Sequence, residues 1–446
     1  MPPPAHQVVD ALLCPRWVLP IAPVNTALTN HCVAIDQGRI VGIFSHAQAA
    51  AQLSPRRRVE LPEHALLPGL INAHGHAAMS LFRGMADDKP LHAWLQEDIW
   101  PAERRWVGPE FVRDGAALAI AEMLLGGTTC FSDMYFFPEV VAKVAVEAGM
   151  RCQLAFPVLD FATVWGSGPD DYLRQGTALF DEYRNQPLIA TAFGPHAPYT
   201  VSRKTLERVA TLSEELQANV QMHVHESTQE VDEALSGSGQ RPLAMLREIG
   251  LLNPRMQCVH ATQLDGDDIG HLAETGSHVI HCPESNLKLA SGMCPVAALQ
   301  RAGINVALGT DGAASNNDLD MFGELRTAAL LAKGMSGDAT ALPAAEALAL
   351  ATINGARALG LEHCLGSLEA GKWADIIAVD LSDLRLQPVY NPLAHLVYNQ
   401  VSHRVSHVWV AGQACVEAYR LRTLDHQTLR RRAQHWASNI HTAGYQ

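Results

Sequence analysis

Ala65-Leu66-Leu67-Pro68-Gly69-Leu70-Ile71-Asn72-Ala73-His74-Gly75-His76 is an apolar run that ends abruptly in polar residues. Histidines at i and i+2 at the end of a strand project from one face, so both imidazoles can grip a single cation. Among 21 histidines a His-x-His pair also arises by chance, so the stretch takes its meaning from the rest of the chain. The first β-rich run, 65–72, is succeeded by seven others, at 128–133, 151–158, 188–194, 219–224, 256–261, 278–282 and 304–310. Helical stretches lie between them, among them 111–125, 140–147, 202–217 and 320–333, with apolar residues recurring at three and four. Strands alternating with helices demand a parallel sheet with covering helices. Eight such units over about 300 residues predict an α/β fold, a closed eightfold (β/α) barrel spanning 65–365.

Polar side chains gather where such a barrel places its chemistry, at the C-terminal ends of the strands. Asn72 and His74, Ser132 and Asp133, His196, His223 to Glu226, His260, His281, and Thr310 with Asp311 all fall there. The fifth run ends Gln221-Met222-His223-Val224-His225-Glu226, which puts a carboxylate three residues beyond a histidine; a solvated strand end is the bland alternative. A lone aspartate such as Asp311 is more often a helix cap or turn residue. Its place on the eighth strand, beside strands carrying His74, His76 and His223, makes a first shell for a divalent transition metal.

The flanks read differently. Residues 7–64 contain short alternating runs, 32–35 and 39–43, around Asp36-Gln37-Gly38, and 366–418 repeat the pattern in 375–379 and 405–410. Neither end carries enough strands for a core of its own, so 1–64 and 366–446 are expected to pair into one small β-sandwich, the second segment closing with a helical tail.

Composition excludes several partners. A net charge of −13 with no basic run beyond Arg56 to Arg58 and Arg430 to Arg432 argues against nucleic acid and anionic membranes. No stretch offers about twenty uninterrupted apolar residues for a membrane span. Met1-Pro2-Pro3-Pro4-Ala5-His6 lacks the basic start and apolar core of a signal peptide. Nine cysteines without Cys-x-x-Cys spacing read as buried thiols, and a cytoplasmic location is expected. No sequence feature sets the oligomeric state; a homo-oligomer is compatible with this composition.

The chain resembles the amidohydrolase superfamily, and within it the branch of methylthioadenosine/S-adenosylhomocysteine deaminases and related triazine chlorohydrolases. The resemblance is carried by Pro68 to His76, Leu81-Phe82-Arg83-Gly84-Met85-Ala86-Asp87-Asp88, Trp94-Leu95 and Ile99-Trp100-Pro101-Ala102-Glu103. It continues through Gly194 to Thr200, His281 to Gly292 and Gly309 to Phe322, nearly the whole chain. It implies His74, His76, His223 and Asp311 as metal ligands, Glu226 as proton shuttle and His260 beside the attacking water. It further implies Glu103 on the ribose hydroxyls and His196 on the nucleoside. Some relatives hold two metals through a carboxylated lysine at the end of the fourth strand. No lysine lies between Leu188 and His196, so a single divalent metal, zinc first, is expected. The implied reaction is hydrolytic loss of the 6-amino group of an adenine nucleoside.

Other readings stay open at this level. Glu103, next to Arg104 and Arg105, also reads as a surface ion pair, and His281 either lines the pocket or bonds to backbone. A triazine hydrolase shares the metal shell but needs no diol-binding carboxylate; a catalytically dead scaffold is disfavoured because all four ligands and Glu226 are present. The third strand and its loop, 154–166, hold Phe156 and Trp165 but no arginine, which suits a methylthio group better than a homocysteine carboxylate. The alternative is that Phe156 and Trp165 are core and that Arg174 folds back as the missing cation.

Overall fold

The computed structural model describes residues 6–442, so Met1 to Ala5 of the N-terminal reading lie outside the described residues. The N-terminal part supplies β1 (Gln7–Val18), β2 (Leu28–Thr29), β3 (His31–Asp36), β4 (Arg39–Ser45) and the long β5 (Leu53–Pro68). Eight strands follow: β6 (Leu70–Gly75), β7 (Thr128–Asp133), β8 (Arg151–Val158), β9 (Ile189–Pro195), β10 (Asn219–Val224), β11 (Met256–His260), β12 (His278–His281) and β13 (Val306–Leu308). The C-terminal part adds β14 (Ile376–Asp380), β15 (Val405–Val410), β16 (Gln413–Glu417) and β17 (Arg420–Leu421).

Strands β6 to β13 pair in sequence order, each parallel to the next, as the expected (β/α) barrel requires. The ring closes between its first and last strands, where Gly75 bridges Asp311 and Asp311 N donates to His74 O at 3.1 Å. The Asn72 side chain braces this closure with its amide nitrogen 2.7 Å from Thr310 Oγ1 and its oxygen 3.0 Å from Thr310 N. Gly309 permits the approach, because a Cβ there would lie 2.8 Å from the backbone N and O of His74.

The first barrel strand begins later than the sequence suggests. Ala65 to Pro68 belong to the end of β5, where they pair antiparallel with β14 from Val379 to Ile376. The chain changes sheets at Gly69, whose N–H donates to Asp375 O at 2.9 Å. A Cβ at Gly69 would sit 2.0 Å from Thr129 Oγ1, so only glycine passes. A continuous apolar run conceals this break, since both its halves are buried.

The two chain ends form one mixed nine-stranded sheet, ordered β17-β16-β15-β14-β5-β1-β3-β4 with β2 on β1. A single buried cluster draws on both arms, including Leu13, Ile35, Leu66, Ile376 and Trp409. Arg151 at the start of β8 ties barrel to sheet: its guanidinium holds Asp375 at 3.2 Å and Pro187 O at 2.7 Å, with only a few per cent of either charged side chain exposed.

The expected helices form with small changes at their ends, as Pro109–Leu125, Pro138–Ala148, Arg203–Leu216 and Met321–Ser336. The C-terminal tail is the helix His426–Thr442, which packs Trp436 on Phe111 and donates its indole N–H to Asp114 at 3.1 Å. Among the described residues no helix is long and apolar enough to cross a membrane. All nine cysteines are free thiols, eight of them buried.

Candidate metal centre and nucleoside pocket

At the C-terminal rim of the barrel four imidazoles converge, and in each Nδ1 meets an acceptor. His74 Nδ1 lies 2.8 Å from Gln221 Oε1, His76 Nδ1 2.6 Å from Met134 O, His223 Nδ1 2.7 Å from His196 O and His260 Nδ1 2.8 Å from Asn286 Oδ1. An acceptor at Nδ1 places the ring proton there and leaves the Nε2 lone pair free, as in metal-binding histidines. Burial holds His74 and His223 in the neutral form, helped by the neighbouring imidazoles.

The consequence is an electrostatic test of the site. His74 Nε2 and His223 Nε2 stand 3.2 Å apart with their protons on the far side of each ring, so two lone pairs face one another. Asp311 Oδ1 adds a third electron-rich atom, 3.5 Å from His74 Nε2 and 3.2 Å from His76 Nε2. Such a set repels itself unless a proton or a metal ion sits among it. Without a metal, burial is outweighed by the Asp311 carboxylate, which raises the His76 pKa to about 9, and the mix of imidazole and carboxylate suits a divalent transition metal in that proton's place. The donors of His74, His76 and Asp311 lie within 4.8 Å of one another, as do those of His74, His223 and His260. These residues fit the metal that the sequence implies.

Asp311 is tightly held. Its Oδ2 accepts from Ser285 Oγ at 2.6 Å and Ser315 Oγ at 3.0 Å, and its Oδ1 from Gly312 N at 2.8 Å. Asp311, His225 and His260 all have positive φ, at 61°, 54° and 73°. Non-glycine residues held there cost on the order of 1–3 kcal/mol each and collect at functional sites. The turn after β10 is secured by Glu230, whose carboxylate accepts from His225 N at 2.8 Å and Glu226 N at 2.9 Å. Ser227 caps the helix Thr228–Ser238 through Glu230 N, so the Ser-x-x-Glu pattern was the readable signal for this residue.

Above the metal donors opens a cavity of about 230 Å³. Glu226, His260, Asp311, Glu103 and His196 all line it, together with His76 and His223. The Glu226 carboxyl is 3.6 Å from His260 Nε2. Burial, reinforced by the charge of Asp311, pushes its pKa up to about 8. Glu103, on the helix Trp100–Trp106, turns inward and accepts from Tyr135 OH at 2.8 Å; burial of its carboxyl raises the pKa to about 7. The surface ion pair is therefore not its role. Thr200 gives its hydroxyl hydrogen to Ala197 O at 3.1 Å and so accepts from His196 Nδ1 at 2.9 Å. His196 is left with a bare Nε2 acceptor, and burial keeps the ring neutral with a pKa of about 3.

Three expected pocket residues lie elsewhere. Phe156 packs against Phe193 at 4.9 Å and Phe180 at 6.2 Å, between the barrel and the helix Pro169–Tyr183. Trp165 lies on Tyr172, and neither aromatic lines the cavity. Successive residues of a strand face opposite ways, so β8 contributes Pro157 while Phe156 points to the helices. The apolar wall comes instead from Leu159, Phe161, Ala162 and Val164. His281 is buried beside His260 and does not line the cavity; its Nδ1 has no hydrogen-bond partner among the described residues. Arg174 does not fold back: it pairs with Asp171 at 2.6 Å on the surface.

The sequence reading missed Arg104, Tyr135 and Tyr199, all of which line the cavity. Arg104 is the one arginine or lysine among the lining residues. The motifs beyond the candidate ligands fasten the surrounding loops: Arg83 pairs with Glu122 and donates to Asn317 O at 2.7 Å, and Lys288 pairs with Asp87 at 2.6 Å.

The chain is 54% identical to the protein named 5-methylthioadenosine/S-adenosylhomocysteine deaminase from Teredinibacter turnerae, over 97% of this chain and 98% of that one. It is equally similar, at 54%, to the protein of the same name from Saccharophagus degradans, over 97% of each. The solved structure of an adenosine deaminase from Xanthomonas campestris with bound zinc matches with a TM-score of 0.97 at 49% identity, covering 98% of this chain and 100% of that one. An atrazine chlorohydrolase from Arthrobacter aurescens complexed with zinc shares the fold, with a TM-score of 0.89 at 24% identity over 96% and 99% of the two chains. The amidohydrolase family model matches residues 65–415, and the chain belongs to that family.

Proposed function

We propose that this protein hydrolyses the 6-amino group of an adenine nucleoside, 5′-methylthioadenosine before others, releasing the inosine analogue and ammonia, with one zinc ion per chain. His74, His76, His223 and Asp311 would hold the metal, and no lysine stands at the end of β9 to bridge a second ion. A divalent metal there supplies a Lewis acid that makes a neighbouring water acidic, from a pKa of about 15.7 towards about 7. The observation that carries the reading is Glu226, a buried carboxyl that opens on the same cavity as Asp311, His76 and His223.

The residues divide the work by charge. Glu226 gives its proton to the ring nitrogen next to the amino-bearing carbon, which removes electron density from that carbon as water attacks it. Asp311, oriented by Ser285 and Ser315, accepts the proton that the water loses. His260 stands 3.6 Å from Glu226, its ring angle fixed by Asn286, and borders the carbon under attack. Asp311 then passes that proton to the amino group, which leaves as ammonia, while the new hydroxyl returns a proton to Glu226 as it becomes the carbonyl. The Glu103 carboxylate accepts from the ribose hydroxyls, and the bare Nε2 of His196 accepts from the nucleoside. A chlorotriazine has no diol and would leave Glu103 buried without a match, which favours the nucleoside.

Ammonia release against adenosine, methylthioadenosine, S-adenosylhomocysteine, guanine and a chlorotriazine, with metal content measured on the same sample, tests the proposal. Turnover of the triazine but of no adenine nucleoside would overturn it.

A further inference from the structure

Beneath the histidines the barrel interior holds a ring of buried polar side chains at a level where barrels of this kind usually pack branched aliphatics. Ser132 on β7, Gln153 on β8, Gln221 on β10 and Gln257 on β11 are all 0–1% exposed. Gln221 Nε2 donates to Ala73 O at 2.9 Å and to Gln257 Oε1 at 2.7 Å. Gln257 cannot turn over, because its own Nε2 is committed to Ala358 O at 2.8 Å. Gln153 donates to Gln257 Oε1 at 3.0 Å and to Ser132 Oγ at 2.9 Å, and Ser132 Oγ closes the ring on Gln221 Oε1 at 3.3 Å. Asn219 anchors Gln153 from below, donating to its Oε1 at 2.9 Å and to Leu359 O at 3.0 Å.

This ring decides which end of the Gln221 amide faces His74. Both donors of Gln221 are already spent, so its oxygen must point at His74 Nδ1, 2.8 Å away. The other two ligand histidines are oriented by backbone carbonyls, of Met134 and His196, which are fixed by the fold. His74 alone among the three takes its orientation from a side chain. Turning the Gln221 amide would set donor against donor at Nδ1 and acceptor against acceptor at Ala73 O. Each mismatch would leave a buried polar group without a partner, which disfavours the turned amide.

We propose that Gln221, locked by Gln257, Gln153 and Ser132, is a positioning residue that sets how tightly the protein holds its metal, through the tautomer and ring angle of His74. The inference rests on the metal-dependent reading of the site. Partners that orient ligand histidines contribute about 10- to 100-fold to metal affinity.

The test is competition for zinc between the full-length holoprotein and a chelator, with the melting temperature of the metal-free protein measured alongside. Gln221→Leu, which keeps the bulk and loses the acceptor, is expected to bind zinc about 10- to 100-fold more weakly. Gln221→Glu loses both donors yet keeps an acceptor for His74, so it should hold zinc at least as tightly as the parent. A purely structural role would make the two variants lose zinc alike, in step with their melting temperatures, and that result would overturn the proposal. So would parent-like affinity in Gln221→Leu. If that variant does not accumulate folded, Gln257→Met removes the acceptor that locks the amide; a loss of about threefold to tenfold is expected, and unchanged affinity counts against the proposal. The assay does not use turnover. A protein with this pattern of zinc affinity but no deaminase activity would refute the proposed function and leave the role of Gln221 intact, whereas a parent that holds no zinc would refute both.

Discussion

Replacing Glu103 by glutamine should separate nucleoside recognition from catalysis, if the proposed role of Glu103 on the ribose diol holds. Glu103 Oε1 already accepts from Tyr135 OH, which leaves Oε2 and one lone pair of Oε1 for the two ribose hydroxyls. A hydrogen bond to a charged group contributes about 1.5–3 kcal/mol, and glutamine retains one neutral acceptor, so roughly one such bond is lost. At about 1.4 kcal/mol per decade, kcat/KM for methylthioadenosine should fall about tenfold to a hundredfold, most of it in KM. A 2′-deoxy analogue lacks one hydroxyl and should be penalised in the parent but far less in Glu103→Gln, so the two losses are not additive. The pH dependence stems from the raised pKa. The carboxylate is the form that accepts from hydroxyls, so kcat/KM should climb as pH rises through about 7, and Glu103→Gln should flatten that limb. Steady-state kinetics of the two substrates across pH decide it. Equal discrimination between ribose and 2′-deoxyribose in parent and variant would refute the assignment of Glu103 to the diol.

Glu226→Gln keeps size but cannot protonate the ring, so kcat should drop by about two to four orders of magnitude with zinc still bound; near-normal kcat would place the proton donor elsewhere. Elemental analysis should find about one divalent transition metal per chain, and Asp311→Asn should remove most turnover while circular dichroism stays native; two tightly held metals per active chain would contradict the single site. Methylthioadenosine should exceed S-adenosylhomocysteine in kcat/KM, because Leu159, Phe161 and Val164 offer an apolar wall. Arg104 is the one arginine or lysine among the lining residues, and Arg104→Met should widen the gap by weakening S-adenosylhomocysteine alone.

Much of the site was legible because strand ends announce themselves. An apolar run that stops in His74-Gly75-His76 or in Thr310-Asp311 marks both a barrel strand and its active rim. The side chains that failed did so where periodicity carries no direction. β8 is buried on both faces, so nothing in its sequence says that Phe156 looks outward to the helices and Pro157 inward. The switch at Gly69 was hidden for the same reason: Leu66, Leu67, Leu70 and Ile71 are equally apolar though they serve two sheets. Gln153, Gln221 and Gln257 looked like ordinary polar interruptions, since their meaning lies in contacts between strands. Arg104 sits in a charged helix start, and its inward edge depends on how that helix lies over the barrel.

The closure between β6 and β13 has a consequence for how the molecule completes itself. Asn72 and Thr310 are 238 positions apart, and contacts of such sequence separation carry the greatest loop-closure cost and form late. The proposed metal ligands straddle that join, with His74 and His76 on one side and Asp311 on the other. A metal held by these residues would be a clasp across a seam joined by a single bridge, and its binding free energy would help to keep that last gap shut. Chelation should therefore loosen the molecule locally: amide hydrogen exchange is expected to quicken at Gly309 to Gly312 and His74 to His76 while β8 to β11 stay protected. A uniform increase across all eight strands would mean that the ion stabilises the barrel as a whole and not its seam.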